Sequence, residues 1–347
     1  MPRTNTHSHA RRATKEHMSL ATADKVAEFV AKTYSHESDE IYFRWFGGEP
    51  LVNTKVITRI CEYARARGIS YFSSTSTNGL LLNEEMLELG RKVWNLKKVR
   101  FSLDGMGEVH NSRKRFVGYR GNPFDETMGN VDRAIKSGMQ VVVRLTIDLN
   151  NADSISDLAE MLINRYAGVS NLKLYSKCIF SEVSIDKYKR EPDAVKELLK
   201  INSELTERVM ATGLYDCERL APAGLRTYYC AANDPHKVVI SPTGALCSCE
   251  CNCVHTEFWG DVINGITDTK RYEKWHSVAT VRKSECTKCS MLPVCTPFVD
   301  ICPSDYFSCH DRFFTTMRLF MRENYRRFLV GRPLLPDSDT FDKFKFN

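Results

Sequence analysis

Ten of the thirteen cysteines lie between Cys230 and Cys309, and this crowding constrains what the chain can fold into. Thiolates are soft ligands that select zinc or iron–sulfur clusters. A CxxC pair such as Cys286 and Cys289 brings two thiolates to one centre from a single turn. Because the N-terminal sequence has no apolar signal segment, metal binding in a reducing compartment is favoured over a disulfide framework. The C-terminal third is therefore predicted to fold around inorganic centres.

The composition is that of an ordinary soluble protein, with 42% apolar and 27% charged residues in a chain of 347. That length favours two domains over one. No stretch approaches the roughly 18 consecutive apolar residues needed to cross a bilayer. The net charge of +6 is mild and does not by itself indicate a nucleic-acid partner. We therefore expect a cytoplasmic protein that binds neither membrane nor nucleic acid.

Helical and strand-like patterns alternate through the first two thirds of the chain. The periodicity predicts helices over 22–34, 56–67, 83–89, 124–137, 156–166 and 194–212, and strands over 40–46, 70–76, 99–103, 140–149 and 172–175. Strands that alternate with helices of this length form βαβ units and a parallel sheet or barrel. The regular pattern ends near 215–229, and a further helix is predicted over 313–329.

Glycine and polar residues punctuate the predicted strand ends. The three segments are Gly47-Gly48-Glu49-Pro50, Thr77-Asn78-Gly79 and Ser102-Leu103-Asp104-Gly105. In parallel α/β folds, ligands bind at the carboxyl ends of the strands. Arg144 lies inside an apolar strand, where a charge needs a partner because unpaired burial is costly. A binding site is therefore expected at this edge of the sheet.

With these motifs in this order, the chain resembles the radical SAM enzymes that carry a C-terminal SPASM domain. This family includes anaerobic sulfatase-maturating enzymes and peptide maturases, and the resemblance covers roughly residues 19–315. The cysteine part of it is the spacing of Cys230, Gly244, Cys249, Cys286, Cys289, Cys295, Cys302 and Cys309. The resemblance implies a partial (β/α)6 barrel at 1–220, an auxiliary-cluster domain at 221–312, and a C-terminal helix and tail at 313–347.

The resemblance also implies a cofactor site for S-adenosylmethionine, which the family converts to a 5′-deoxyadenosyl radical that abstracts a substrate hydrogen. Glu49 is expected to accept from the cofactor's ammonium group, and Ser102 and Arg144 to bond its ribose or carboxylate. The full expected set is Gly47, Gly48, Glu49, Pro50, Thr77, Asn78, Ser102, Asp104 and Arg144. The structural alternatives are a simple turn at the glycines, an ion pair within the barrel for Arg144, and a turn or cap for Asn78 and Asp104.

For the cysteines, the family pattern implies two auxiliary [4Fe–4S] clusters. The first would use Cys230, Cys249 and Cys302, and the second Cys286, Cys289, Cys295 and Cys309. The fourth ligand of the first cluster stays open between Cys247, Cys251, Cys253 and an open iron that binds substrate. A zinc-knuckle scaffold is the alternative. Glu250 is a candidate catalytic base beside a cluster, or a solvated carboxylate. Outside the pattern lie Cys61, Cys178 and Cys217, which are interpreted as buried small apolar residues.

One departure is serious, because the CxxxCxxC motif that ligates the family's catalytic cluster is absent. The sequence is therefore either a truncated chain, with that motif upstream of Met1, or a degenerate one. The function implied is modification of a peptide or protein, with or without a leader segment, with an electron donor such as flavodoxin or ferredoxin. The alternatives are a non-catalytic iron–sulfur module that binds a peptide or passes electrons, and a zinc-structured binding protein.

Overall fold

The structure is a computed structural model that describes residues 16–34, 40–114, 116, 118–178, 192–215, 232–250, 257–276, 288 and 309–334. The chain divides into two compact units, Met1–Tyr215 and Asp216–Asn347.

The first unit is a parallel sheet with helices between its strands. The strands are β1 (Ile41–Trp45), β2 (Tyr71–Thr77), β3 (Leu96–Leu103), β4 (Gln140–Ile147) and β5 (Leu172–Cys178). They pair in sequence order and every pairing is parallel. The helices are α1 (Leu20–Tyr34), α2 (Thr54–Ala66), α3 (Glu84–Lys92), α4 (Gly107–Arg113), α5 (Pro123–Lys136), α6 (Ala152–Arg165) and α7 (Pro192–Ala211). The predicted α/β class with a partial barrel is confirmed.

The two faces of the sheet differ because side chains alternate along each strand. On one face of β3 and β4, Phe101, Leu103, Val143 and Leu145 are fully buried, and α5 and α6 pack against β4. Burial of such side chains stabilises the fold by about 1.5–3 kcal/mol each. The opposite face carries half-buried polar groups, among them Arg144. These groups are accessible for binding a ligand on that face.

Local signals explain where helices begin. Asn83 and Asn122 cap α3 and α5 by accepting from backbone N–H groups of the first turn. The short helix α4 was not predicted, since seven residues give too little periodicity. Strand β3 begins at Leu96, before the predicted start, because the charged pair Lys97 and Lys98 interrupts its apolar pattern.

The second unit has a small antiparallel sheet, which lies beyond the point where the predicted alternation of helices and strands ends. Its strands are β6 (Val239–Ile240), β7 (Ala245–Cys247), β8 (Gly260–Asp261) and β9 (Gly265–Ile266). Two helices follow, α8 (Thr269–His276) and α9 (Cys309–Leu329), and α9 contains the helix predicted over 313–329. Strands of two or three residues are too short for an alternation signal, which is why the sequence did not reveal them. Among the described residues, no helix is long and apolar enough to cross a membrane.

Candidate functional site

Glu49 lies just after β1 and joins the ends of β1 and β2. It caps the short 3-10 helix Pro50–Asn53, where its Oε1 accepts from the Leu51 N–H at 3.1 Å. The same oxygen accepts from Thr77 Oγ1 at 2.8 Å, and Oε2 accepts from the Asn78 N–H at 2.8 Å. Burial raises the pKa of the Glu49 carboxyl, and these hydrogen bonds partly oppose that rise. Glu49 is thus a fixed carboxylate at the sheet edge.

Gly47 and Gly48 precede this carboxylate and are exposed. A Cβ atom at Gly47 would meet no atom within 4 Å. Packing within this chain therefore does not explain why position 47 is glycine. The open backbone here is what a ligand would need for a close approach.

The second segment, Thr77-Asn78-Gly79, forms a tight turn after β2. Thr77 Oγ1 accepts from the Gly79 N–H at 3.0 Å, and Asn78 Oδ1 accepts from the Leu80 N–H at 2.9 Å. Gly79 has a φ of +88°, and a Cβ there would lie 2.6 Å from Phe101 Cδ1. The turn role that was the alternative for Asn78 is therefore present.

Ser102 and Arg144 face each other in the register of β3 and β4. Arg144 donates from Nη2 and Nε to Ser102 Oγ at 2.6 and 3.1 Å. Arg144 is half-buried, and no carboxylate pairs with it among the residues that the structure describes. The internal ion pair that was its structural alternative is therefore not formed there. A cation that is partly desolvated and unpaired is suited to an anionic ligand.

Asp104, in the third segment, is mostly buried beside a lysine that the sequence reasoning missed. Lys114 Nζ lies 3.8 Å from Asp104 Oδ1, and it also donates to the carbonyl oxygen of Ser102. His110 is fully buried behind them, and its Nδ1 accepts from the Asp104 N–H at 3.2 Å. Burial lowers the pKa of His110 to about 3, so its ring is neutral at physiological pH.

Buried polar side chains from the helices hold the strand ends, and these too were missed. Asn151 is 2% exposed and donates to the carbonyls of Asp104 and Thr146, both at 2.8 Å. Asn130 is fully buried and donates to the Gly79 carbonyl at 2.8 Å. An asparagine inside an otherwise amphipathic helix, such as Asn130, is the one sequence signal that could have indicated them, because buried polar groups need partners.

The predicted metal ligands are only partly described. Cys247 is 1% exposed and takes part in a disulfide, while Cys249 is half-buried and is not disulfide-bonded. Cys309 begins α9, with its side chain outside the described residues. Also outside them lie Cys230, Cys286, Cys289, Cys295 and Cys302. Within the described ranges, no three metal-ligating side chains converge.

Glu250 is not a freely solvated carboxylate. It is half-buried, and its Oε2 accepts from Lys237 Nζ at 2.9 Å. The interpretation of Cys61 as a small apolar residue agrees with the structure, since it is fully buried in α2 and burial raises the pKa of its thiol to about 12. Cys178 is half-buried, and Cys217 lies outside the described residues.

A shallow cavity of about 520 Å³ opens elsewhere on the first unit, between α1 and α2. Its lining includes Tyr63, Arg67 and Ile69. Since Ile69 precedes β2, this cavity lies toward the amino ends of the strands, opposite to the site described above.

The groups at the carboxyl edge fit a zwitterionic nucleoside cofactor. An anchored carboxylate, Glu49, suits an ammonium group, and the unpaired cation Arg144 suits a carboxylate or ribose hydroxyl. Among the described residues, no three metal-ligating side chains converge at this edge.

Comparisons with known proteins give one matching family and several similar proteins. Residues 7–162 match the Radical SAM superfamily. GTP 3',8-cyclase of Peptoclostridium acidaminophilum is 27% identical over 196 residues, or 55% of this chain and 58% of that protein. The sporulation killing factor maturation protein SkfB of Bacillus subtilis (strain 168) is 33% identical over 88 residues, or 25% of this chain and 20% of that protein. The chain thus spans less than two thirds of either relative.

Solved structures share the fold at low sequence identity. Native anSMEcpe with bound AdoMet has a TM-score of 0.64 at 14% identity and covers 90% of this chain and 89% of its own. Streptococcus suis SuiB bound to precursor peptide SuiA has a TM-score of 0.52 at 14% identity and covers 79% of this chain and 64% of its own. At such identities the likeness establishes the fold alone.

Proposed function

We propose, from the radical SAM domain that the chain carries over residues 7–162, that this protein binds S-adenosylmethionine and modifies a peptide or protein by hydrogen abstraction. The observation that carries the proposal is the Ser102–Arg144 pair, held at the same sheet edge as the Glu49 carboxylate. The family implies S-adenosylmethionine and a [4Fe–4S] cluster. When bound, that cofactor supplies the radical chemistry, and the protein supplies binding, orientation and exclusion of water.

In this proposal each side chain has a separate task. Glu49 holds the ammonium group of the methionine end beside the open backbone of Gly47 and Gly48. Arg144 binds the carboxylate, and the Ser102 hydroxyl, already held by Arg144 at 2.6 Å, is oriented toward the ribose. Such charge-assisted hydrogen bonds are about twice as strong as neutral ones.

The catalytic cluster has no assigned ligands in this sequence, because the CxxxCxxC motif is absent and Cys61 is the first cysteine. The residues of this chain are therefore assigned roles in binding and orienting the cofactor only.

A peptide substrate is supported by two comparisons. SuiB is described with its precursor peptide SuiA, and SkfB is named as a maturation protein. We extend this kind of substrate, a peptide with or without a leader segment, to the present chain. The cysteines after position 229 would hold two auxiliary [4Fe–4S] clusters that take the electron from the product radical or anchor a substrate thiolate. The reducing electrons would come from a donor protein of the flavodoxin or ferredoxin kind. Glu250 would take a proton near one cluster after releasing Lys237.

Binding of S-adenosylmethionine to the Arg144→Ala variant tests the proposal. Loss of a charged hydrogen bond costs about 1.5–3 kcal/mol, so the dissociation constant should rise about 10- to 100-fold in titration calorimetry. The matched control is Arg59→Ala, which removes an exposed arginine paired with Asp24 and should leave the affinity unchanged. Unaltered affinity in Arg144→Ala, or no binding by the wild type, would overturn the proposal.

A further inference from the structure

Lys114 is a mostly buried cation within the proposed cofactor site, and its ammonium group contacts residues of the protein. Its side chain is 15% exposed and lies at the end of α4, just behind the ends of β3 and β4. Its ammonium group donates to the carbonyl of Ser102 and lies 3.8 Å from the Asp104 carboxylate. Lys114 therefore contacts both polar residues of the Ser102–Asp104 segment.

Charges from every neighbouring element act on this ammonium group. Among the described residues, Asp104 at the end of β3 and Glu49 after β1 favour its charged form, whereas Arg144 on β4 opposes it. On its own helix, His110 is neutral at physiological pH. Arg113 points its guanidinium to Asp148 instead, in a separate ion pair.

Burial is the largest influence on the ionisation of Lys114. It lowers the pKa of the ammonium group from its ordinary value of 10.5 to about 8, against the attraction of Asp104 and Glu49. The charged form therefore dominates at neutral pH and is lost as the pH rises through 8. Deprotonation would leave Asp104 without its cation and weaken the hold on the Ser102 carbonyl.

We propose that Lys114 is a positioning residue of the S-adenosylmethionine site, and that its charged form fixes the end of β3 so that Ser102 and Arg144 bind the cofactor. This inference rests on the proposed function, because it assumes that the ligand is S-adenosylmethionine. Lys114 acts through Ser102 and Asp104 and need not touch the ligand. The hold depends on charge, so a permanently charged side chain at position 114 should preserve it at high pH.

The test is the pH dependence of S-adenosylmethionine binding by the wild type and by the Lys114→Arg variant. Between pH 7 and pH 9 the charged fraction of an ammonium group that titrates near 8 falls about tenfold, and the dissociation constant of the wild type should rise by about the same factor. Arginine stays charged throughout, so Lys114→Arg should lack this component. The ligand's own amino group titrates in both proteins, and the difference between the two profiles therefore belongs to Lys114.

Two further variants complete the design. Lys114→Met should bind weakly at every pH, whereas Lys97→Met, on the exposed side of the same strand β3, should follow the wild type. Thermal unfolding without ligand shows whether each variant is folded. If Lys114→Met is unfolded, the comparison of the wild type with Lys114→Arg still tests the inference. Parallel pH profiles for wild type and Lys114→Arg, or loss of binding in Lys114→Arg at pH 7, would overturn the inference. Absence of binding in the wild type would instead overturn the proposed function.

Discussion

At the scale of single residues, two glycines of the strand-end segments are glycine for different reasons. Gly79 has a φ of +88°, and a Cβ would lie 2.6 Å from Phe101 Cδ1 and 2.8 Å from Thr127 Cγ2. Gly47 has open space around its Cβ position and no such backbone conformation. We therefore expect Gly79→Ala to destabilise the first unit by about 2–4 kcal/mol, from backbone strain and overpacking together.

Gly47→Ala is the matched variant, and its stability should stay within about 0.5 kcal/mol of the wild type. Its S-adenosylmethionine affinity should nevertheless fall, because a methyl group would obstruct the close approach of the ligand to the backbone. Urea unfolding and calorimetric titration measure the two effects. If Gly47→Ala binds as tightly as the wild type, position 47 contributes a turn and nothing more.

The sequence predicted individual residues of the site but not the contacts between them. Ser102 and Arg144 were each selected from the sequence, but their direct pairing depends on the register of β3 against β4, which no local pattern specifies. Lys114 was missed because it contacts Ser102 and Asp104 through a helix that the periodicity did not reveal. Long side chains that reach a site from a neighbouring element leave no local sequence signal.

At the scale of elements, α6 is tied to the sheet by one buried amide. Asn151 precedes α6, donates to the Asp104 and Thr146 carbonyls, and accepts from the Asp148 N–H at 2.7 Å. In Asn151→Ala these three backbone groups lose their partner, which should cost about 2–4 kcal/mol.

The neighbouring Asn150 is exposed, so Asn150→Ala is the control and should change the urea midpoint little. Because Asp104 also pairs with Lys114, Asn151→Ala should weaken S-adenosylmethionine binding as well as folding. A variant with normal stability and normal affinity would show that the Asn151 bonds do not position the ends of β3 and β4.

Element prediction succeeded where apolar periodicity was long and failed where it was short. Strands β3, β4 and β5 bury apolar side chains, as β4 does with Val141, Val143 and Leu145. Helices α2, α5 and α6 likewise bury an apolar face. The two- and three-residue strands β6–β9 have no such face to detect. These short strands are held together by hydrogen bonds across tight turns, for example those between Ser241 and Ala245 around Gly244.

At the scale of the whole molecule, the two units have different sources of stability. Parallel strands and buried apolar side chains account for the first unit. The described part of the second unit has much shorter strands, with Trp275 and Leu246 among its few fully buried large side chains. Small domains with little core commonly depend on a metal or disulfide. Metal centres bound by the clustered cysteines are therefore the predicted source of stability of the second unit.

Iron content separates the cluster interpretation from the zinc alternative. Anaerobic reconstitution of the full chain should yield about eight iron atoms with matching sulfide, as two [4Fe–4S] clusters require. Cys289→Ala removes one predicted ligand and should lose about half of that iron. Cys61→Ala is the control, since its thiol is buried in α2 with a pKa raised to about 12 and is unsuited to metal binding. A colourless zinc protein, or equal iron in the Cys289 and Cys61 variants, would contradict the cluster assignment. If the iron and the thermal transition of the second unit are lost together, the clusters hold that unit folded.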